Sequence, residues 1–166
     1  DQLTLTHNGG SGSIVQNTGD ALIVTAATTI DAGPGKDITI DEIGNDFQGP
    51  VNISSGKDVT LKNANAIDLG ASTIGGTLDV TAGGNITDSG AIAVGGSGIF
   101  DANGGAADIT LGDTTNADFA SLNLTGNTVT ITENSATELS GVSVGSLNIT
   151  SAGAITDTPG TSLDVT

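Results

Sequence analysis

The chain has 166 residues, with 26 Gly, three Phe and no Cys, Met, Trp or Tyr; 19 Asp and Glu stand against three Lys and no Arg, a formal net charge of −16. The missing cysteine excludes disulfides, zinc-thiolate sites and thiol catalysis, and the acidity opposes binding to nucleic-acid phosphates or anionic membrane surfaces. With so few aromatics, any core is made of Val, Ile, Leu and Ala, which suits a thin core extended along an axis.

No apolar run exceeds four or five residues, ALIV at 21–24 and AIAV at 91–94 being typical, so no segment is long enough to span a bilayer as a helix. No basic stretch precedes an apolar one, so no signal peptide is visible. The sequence starts at Asp1 and stops within a repeat, and is expected to be an excerpt of a longer chain.

In chain order, short alternating runs follow one another: LTLT at 3–6, DITI at 37–40, VNIS at 51–54, DVTL at 58–61, TLDVT at 77–81, SLNLT at 121–125, TVTIT at 128–132 and SLNIT at 146–150. They are rich in β-branched residues and bounded by Gly, Asn, Asp or Ser, the signature of strands with one buried face. No window carries a helical stripe. The fold class is therefore all-β.

The segment from Asp37 to Thr81 returns as Asp108 to Thr150: Asp37 maps to Asp108, Phe47 to Phe119, Val59 to Val129, Leu69 to Leu139 and Leu78 to Leu147, at offsets of 71, 72, 70, 70 and 69. Repetition of this kind marks a solenoid, in which like units stack instead of wrapping one irregular core. The anchors Leu78, Phe100, Leu122 and Leu147, spaced 22, 22 and 25 residues apart, suggest three coils per 70-residue unit, with Val51, Ile30 and Leu3 extending the series backwards.

The expectation is one continuous parallel β-helix (β-solenoid) over residues 1–166, with about seven coils of 20–27 residues and roughly three short strands per coil. Superrepeats run over about 3–77, 78–146 and the partial 147–166. Leu78, Val80, Ile86, Ile92 and Val94 point inwards; Asp79, Thr87 and Ala93 point out. Gly at 82–84, 95–98 and 103–105 is assigned to corners. Asp31 and Asp101, Asp37 and Asp108, Asp46 and Asp118, and Asp88 and Asp157 are equivalents expected three coils apart, about 14 Å along the rod and beyond a Debye length.

The run Asn45 to Ala102, and above all LDVTAGGNITDSGAIAV and LNITSAGAITDTPGTSLDV, resembles the repeats of giant bacterial surface proteins of the filamentous haemagglutinin type. The resemblance covers the chain from about Asp20 onwards. It implies a right-handed parallel β-helix, secretion through an outer membrane, and an extracellular or cell-surface role in adhesion, aggregation or matrix formation. That family has no catalytic residues to carry over.

Residue chemistry points the same way. The calcium-binding β-roll repeat G-G-x-G-x-D-x-U-x fails here, because GGSGIF at 95–100 has Phe100 where the Asp belongs. Looser oxygen clusters, Asp41, Glu42, Asn45 and Asp46 in one turn and Asp113, Asn116 and Asp118 in another, are the candidate cation ligands, calcium being the ion such a donor set takes. A polysaccharide lyase would need a basic residue, and the three Lys do not cluster; a lone His7 beside Asn8, Gly9 and Gly10 makes no triad. The chain is therefore expected not to be an enzyme and to need no cofactor.

Expected partners are the rest of its own chain, further copies stacked end to end, and surface or matrix glycans. The sequons at Asn52, Asn85, Asn123 and Asn148 follow from strand alternation, and the three Phe are expected to plug the core.

Overall fold

The computed structural model describes residues 1–113 and 116–166. Strands dominate, and the one helical element among the described residues is a 3-10 turn at Asn103–Gly105. Every strand pairing is parallel, and successive strands wind into a β-solenoid of about eight turns. A parallel partner must be reached by a crossover, and here the rest of each coil supplies it.

Each turn contributes to three ladders of paired strands. The first begins with Leu3–Thr6, Thr28–Asp31 and Val51–Gly56 and ends with Ile155–Asp157. The second runs from Ile14–Val15 through Ile38–Ile40, Val59–Asn63 and Leu78–Ala82 to residues 98–102, 122–126 and 142–144, finishing at Leu163–Val165. The third comprises Ile23–Val24 against Asp46–Phe47, a two-stranded sheet of its own, and then, as part of the main sheet, residues 67–69, Ile86–Asp88, Ile109–Leu111, and residues 129–131 and 147–149. Longer strands such as Ala117–Glu133 bend across a corner and serve two or three ladders in turn.

Alternation explains the core. In Leu78–Ala82, Leu78, Val80 and Ala82 are buried while Asp79 and Thr81 face outwards, and Ile86, Ile92 and Val94 are buried as expected. Because the ladders are in register, Ile38, Val59 and Leu78 lie one above another, as do Ile67, Ile86, Ile109 and Val129. Phe47, Phe100 and Phe119 are each 1 % exposed, and Phe100 meets Phe119 edge to face with ring centroids 5.5 Å apart.

Coil lengths differ from the expected spacing. Steps of 24, 21, 19, 20 and 24 residues separate Ile14, Ile38, Val59, Leu78, Gly98 and Leu122 on the second ladder. Shorter coils make eight turns where seven were expected. The anchor series also mixed positions: Phe100 pairs with Val80 and Leu124, and Leu147 lies on the third ladder opposite Val129.

A larger correction concerns the 70-residue unit. Ile38 is on the second ladder; three steps lead through Val59 and Leu78 to Gly98, yet its equivalent Ile109 lies one strand further, on the third. Likewise Val59 on the second ladder maps to Val129 on the third, and Asp31 on the first to Asp101 on the second. The unit therefore spans three and one third turns. Equivalent Asp residues sit on different faces of the solenoid, roughly 16 Å apart along its axis at the usual strand spacing.

Two glycine assignments sharpen. Gly83 does mark a close approach between coils, since a Cβ there would lie 2.0 Å from the Ala64 carbonyl oxygen. Gly98 is no corner: it is buried within Ile92–Ala102, where a Cβ would lie 2.7 Å from the Phe100 ring and 2.8 Å from the Phe119 ring. Its bare Cα makes room for the aromatic pair.

Phe100→Ala is expected to destabilise the chain by about 3–5 kcal/mol through a core cavity, and Gly98→Ala by about 1–3 kcal/mol through overpacking. Urea unfolding followed by far-UV circular dichroism checks both, and an unchanged midpoint for either would refute the packing assigned to this layer.

Candidate functional site

The outer surface carries polar rungs at the strand ends, and these contain the acidic residues singled out by sequence. Asp46 accepts hydrogen bonds from Asn65 Nδ2 at 2.9 Å and Gln48 Nε2 at 2.7 Å, which hold its carboxyl below the usual range, the Gln48 bond first. One turn on, Asp68 Oδ2 accepts from Ser89 Oγ at 2.8 Å. Asp46, Gln48, Asn65, Asp68 and Thr87 border a shallow groove of about 390 Å³.

The second copy repeats the arrangement. Asp118 Oδ1 accepts from Ser135 Oγ at 2.7 Å, and Glu138 Oε1 from Thr158 Oγ1 at 2.8 Å. Asp118, Ser135, Glu138 and Thr158 are the repeat equivalents of Asp46, Asn65, Asp68 and Ser89. The rung survives with different residues because each replacement still donates to the carboxylate.

The expected cation ligands are not drawn into one cage. Asn45 is fully buried and points inwards, its Oδ1 accepting from the Leu22 amide at 2.8 Å and from Gln16 Nε2 at 2.7 Å. Asp113 and Asn116 are exposed, on either side of the two residues outside the description. Among the described residues no group of three or more His, Asp or Glu could hold a metal ion. His7 Nδ1 lies 3.0 Å from Lys36 Nζ.

Elsewhere, carboxylates close the ladders by accepting backbone amides. Asp108 Oδ1 accepts the Thr128 amide and Asn127 Nδ2, both at 2.9 Å, which lowers its pKa. In the first copy the equivalent Asp37 meets the Asp58 amide at 3.4 Å, and Asp58 Oδ1 takes the Thr77 amide at 2.9 Å. There Lys57 bridges, 2.8 Å from Asp58 and 4.0 Å from Asp37, and lowers the Asp58 pKa. Asp79, half-buried on the second ladder, is raised, chiefly by burial and against the pull of Lys62.

Sequence reasoning missed several inward polar groups, Asn63 and Glu133 at equivalent corners among them. Val59, Leu61 and Asn63 alternate inwards, as do Val129, Ile131 and Glu133. Asn63 Oδ1 accepts the Phe47 amide at 2.8 Å and its Nδ2 donates to the Ala66 carbonyl at 2.8 Å; Glu133 Oε1 accepts the Phe119 amide at 2.9 Å. The signal was present: alternation carried through the strand end places residues 63 and 133 indoors. All four sequons lie off the core, with Asn85, Asn123 and Asn148 exposed and Asn52 half-buried, its Nδ2 on the Thr28 carbonyl.

Stacked parallel coils with a recurring outer rung define a class, the repeat-built β-solenoid. Within it, the chain belongs to the family described as repeats of unknown function (DUF5649), whose units match residues 1–54, 56–125 and 126–166. The middle unit is 70 residues long, the period of the self-match. No curated protein and no solved structure matches the chain.

Two tests follow from these bonds. Asn63→Ala strands the Phe47 amide and the Ala66 carbonyl and should cost about 1–3 kcal/mol in a urea titration. Because Asp108 has a depressed folded pKa, its contribution is present above its ordinary 3.8 and is lost as pH falls through the folded value. Asp108→Asn should accordingly lower the melting temperature near neutrality and narrow its fall on acidification, measured by thermal scans across the acid range.

Proposed function

We propose that the chain is a structural rod segment of a large secreted or cell-surface β-solenoid protein that serves adhesion, aggregation or the formation of an extracellular filament or matrix. The observation that carries this reading is the stacking of parallel coils from Leu3 to Val165, one fifteen-stranded sheet and a short two-stranded one around a single aliphatic core. Such a stack resists bending along its axis and grows by adding units without altering the ones already present. It acts without catalysis and needs no cofactor.

Rotation of the unit adds to the argument. A stalk that turns one face per repeat offers the same polar rung on all sides, so it meets neighbours in a matrix without a preferred lateral direction. Partners are the rest of its own chain and further copies. On the last coil Ile155, Leu163 and Val165, in register with buried Thr137, Val142 and Val144, are 52 %, 47 % and 54 % exposed, and on the first coil the inward Leu3, Leu5 and Ile14 are only partly buried. Those surfaces suit a further coil, in the same chain or in a second copy stacked end to end.

A second reading is a carbohydrate- or calcium-binding surface module. It draws on the broad groove of about 630 Å³ along the first ladder, where Gln2, Thr29, Asn52, Ser54 and Thr73 offer hydroxyl and amide groups to a glycan.

Titration calorimetry with calcium chloride, then with anionic and neutral oligosaccharides, separates the two. The rod reading expects no saturable heat; a stoichiometric micromolar response would displace it. Electron microscopy of concentrated samples should show rods whose lengths grow in steps of roughly 38 Å, about eight strand spacings.

A further inference from the structure

Glu133 differs from every other acid described so far. It is 2 % exposed, at the inward end of Ala117–Glu133, and one of its oxygens, Oε1, takes the Phe119 amide. The other, Oε2, is buried with no hydrogen-bond partner among the described residues, and so is the hydroxyl of Thr137, which is fully buried close by.

The first copy of the repeat shows what belongs there. Asn63, the equivalent of Glu133, fills the corner with a neutral amide: an acceptor towards the Phe47 amide and a donor, Nδ2, towards the Ala66 carbonyl. An ionised carboxylate offers two acceptors and no donor. In the second copy the carbonyl of Ala136, the equivalent of Ala66, accepts instead from Ser135 Oγ at 3.2 Å, and Thr137 stands where the first copy has Ile67. A carboxylic acid reproduces the amide's donor and acceptor; a carboxylate does not.

We propose that Glu133 is a proton-binding latch: it holds its proton on Oε2, donating to Thr137 Oγ1, while Oε1 holds the Phe119 amide, and loss of that proton loosens the corner between the third and first ladders. That proton gives Oε2 and Thr137 Oγ1 a partner each, whereas Thr137 donating to an ionised Oε2 would leave a buried charge with no cation beside it. No lysine stands beside the anion: Lys36, Lys57 and Lys62 all precede residue 63, and the Thr137 hydroxyl and Phe119 amide are the groups that favour it. On its own strand the nearest charge is Asp118, which opposes ionisation. On the following strand Glu138 is exposed and engaged by Thr158; on the preceding turn Asp113 is exposed, and on the turn before that Asp88 accepts the Gly112 amide. All are acids.

Burial, the largest influence, raises the Glu133 pKa from its ordinary 4.5, and the Asp118 charge adds to it; the Thr137 hydroxyl and Phe119 amide pull the other way without overcoming them. With a raised folded pKa, the stabilisation is fully present below the unfolded value and is lost as pH rises through the folded one. The latch is closed in acid and opens towards alkali, opposite in sign to Asp108.

Thermal melts of the chain and of its Glu133→Gln variant at about pH 5 and about pH 8 test this. Gln keeps the donor and acceptor without a titrating proton. The two proteins should melt together at the lower pH, and the variant should melt higher, by about 3 °C or more, at the upper pH. A variant that melts below the natural chain by the same margin at both pH values, or whose deficit grows with pH, would overturn the latch.

Should the variant fail to fold, carboxyl carbon-13 titration of the natural chain decides. Glu133 should titrate above the step shown by the glutamates of the urea-unfolded chain. A Glu133 step at or below that one refutes the proposal.

Discussion

Everything in this molecule depends on the in-register parallel pairing of one coil with the next. Once adjacent strands are aligned residue for residue, an inward Ile must lie over an inward Ile or Val, and the interior becomes three columns of aliphatic side chains. Parallel sheets usually need cover on both faces; here the chain closes on itself, so one face of every strand packs across the interior and the other meets water. That is why alternation persists in strands that are all parallel.

The same alignment accounts for the polar groups. At corners, where the ladder hydrogen bonds lapse, side chains accept the amides left over: Asn63 that of Phe47, Glu133 that of Phe119, Asp58 that of Thr77 and Asp108 that of Thr128. An orphaned buried amide costs roughly 1–3 kcal/mol, so these positions are as much a part of the solenoid as its aliphatic columns. Where Asp37 and Asp58 stand in successive coils, Lys57 offsets their repulsion; in the second copy Thr128 replaces the second acid and Asn127, at the position of Lys57, suffices.

A unit of three and one third turns reconciles two rhythms, the 70-residue period and coils of 18 to 25 residues. It places the rungs of Asp46 and Asp118 on different faces although their hydrogen bonds are alike. In a chain this acidic, such rotation keeps equivalent carboxylates from forming one continuous seam. It also makes the surface of a long array alike on every side, which is the property a spacer or matrix rod would use.

Period-two alternation, β-branched runs and turn residues were enough to determine an all-β solenoid, its inward residues at Leu78, Val80, Ile86, Ile92 and Val94, and the buried place of all three Phe. These are local consequences of which side of a strand a residue occupies. The candidate site was only partly legible: Asp46 and Asp118 do lie in equivalent outer rungs, but Asn45 turned inwards, and Asn63 and Glu133 were overlooked because polar residues were assumed to face out. The ladder each strand joins was decided by tertiary structure alone. Coils of unequal length conceal it, since 20 residues carry Leu78 to Gly98 while 24 carry Gly98 to Leu122. Only the hydrogen-bond register between neighbouring coils shows that each repeat begins one face further round.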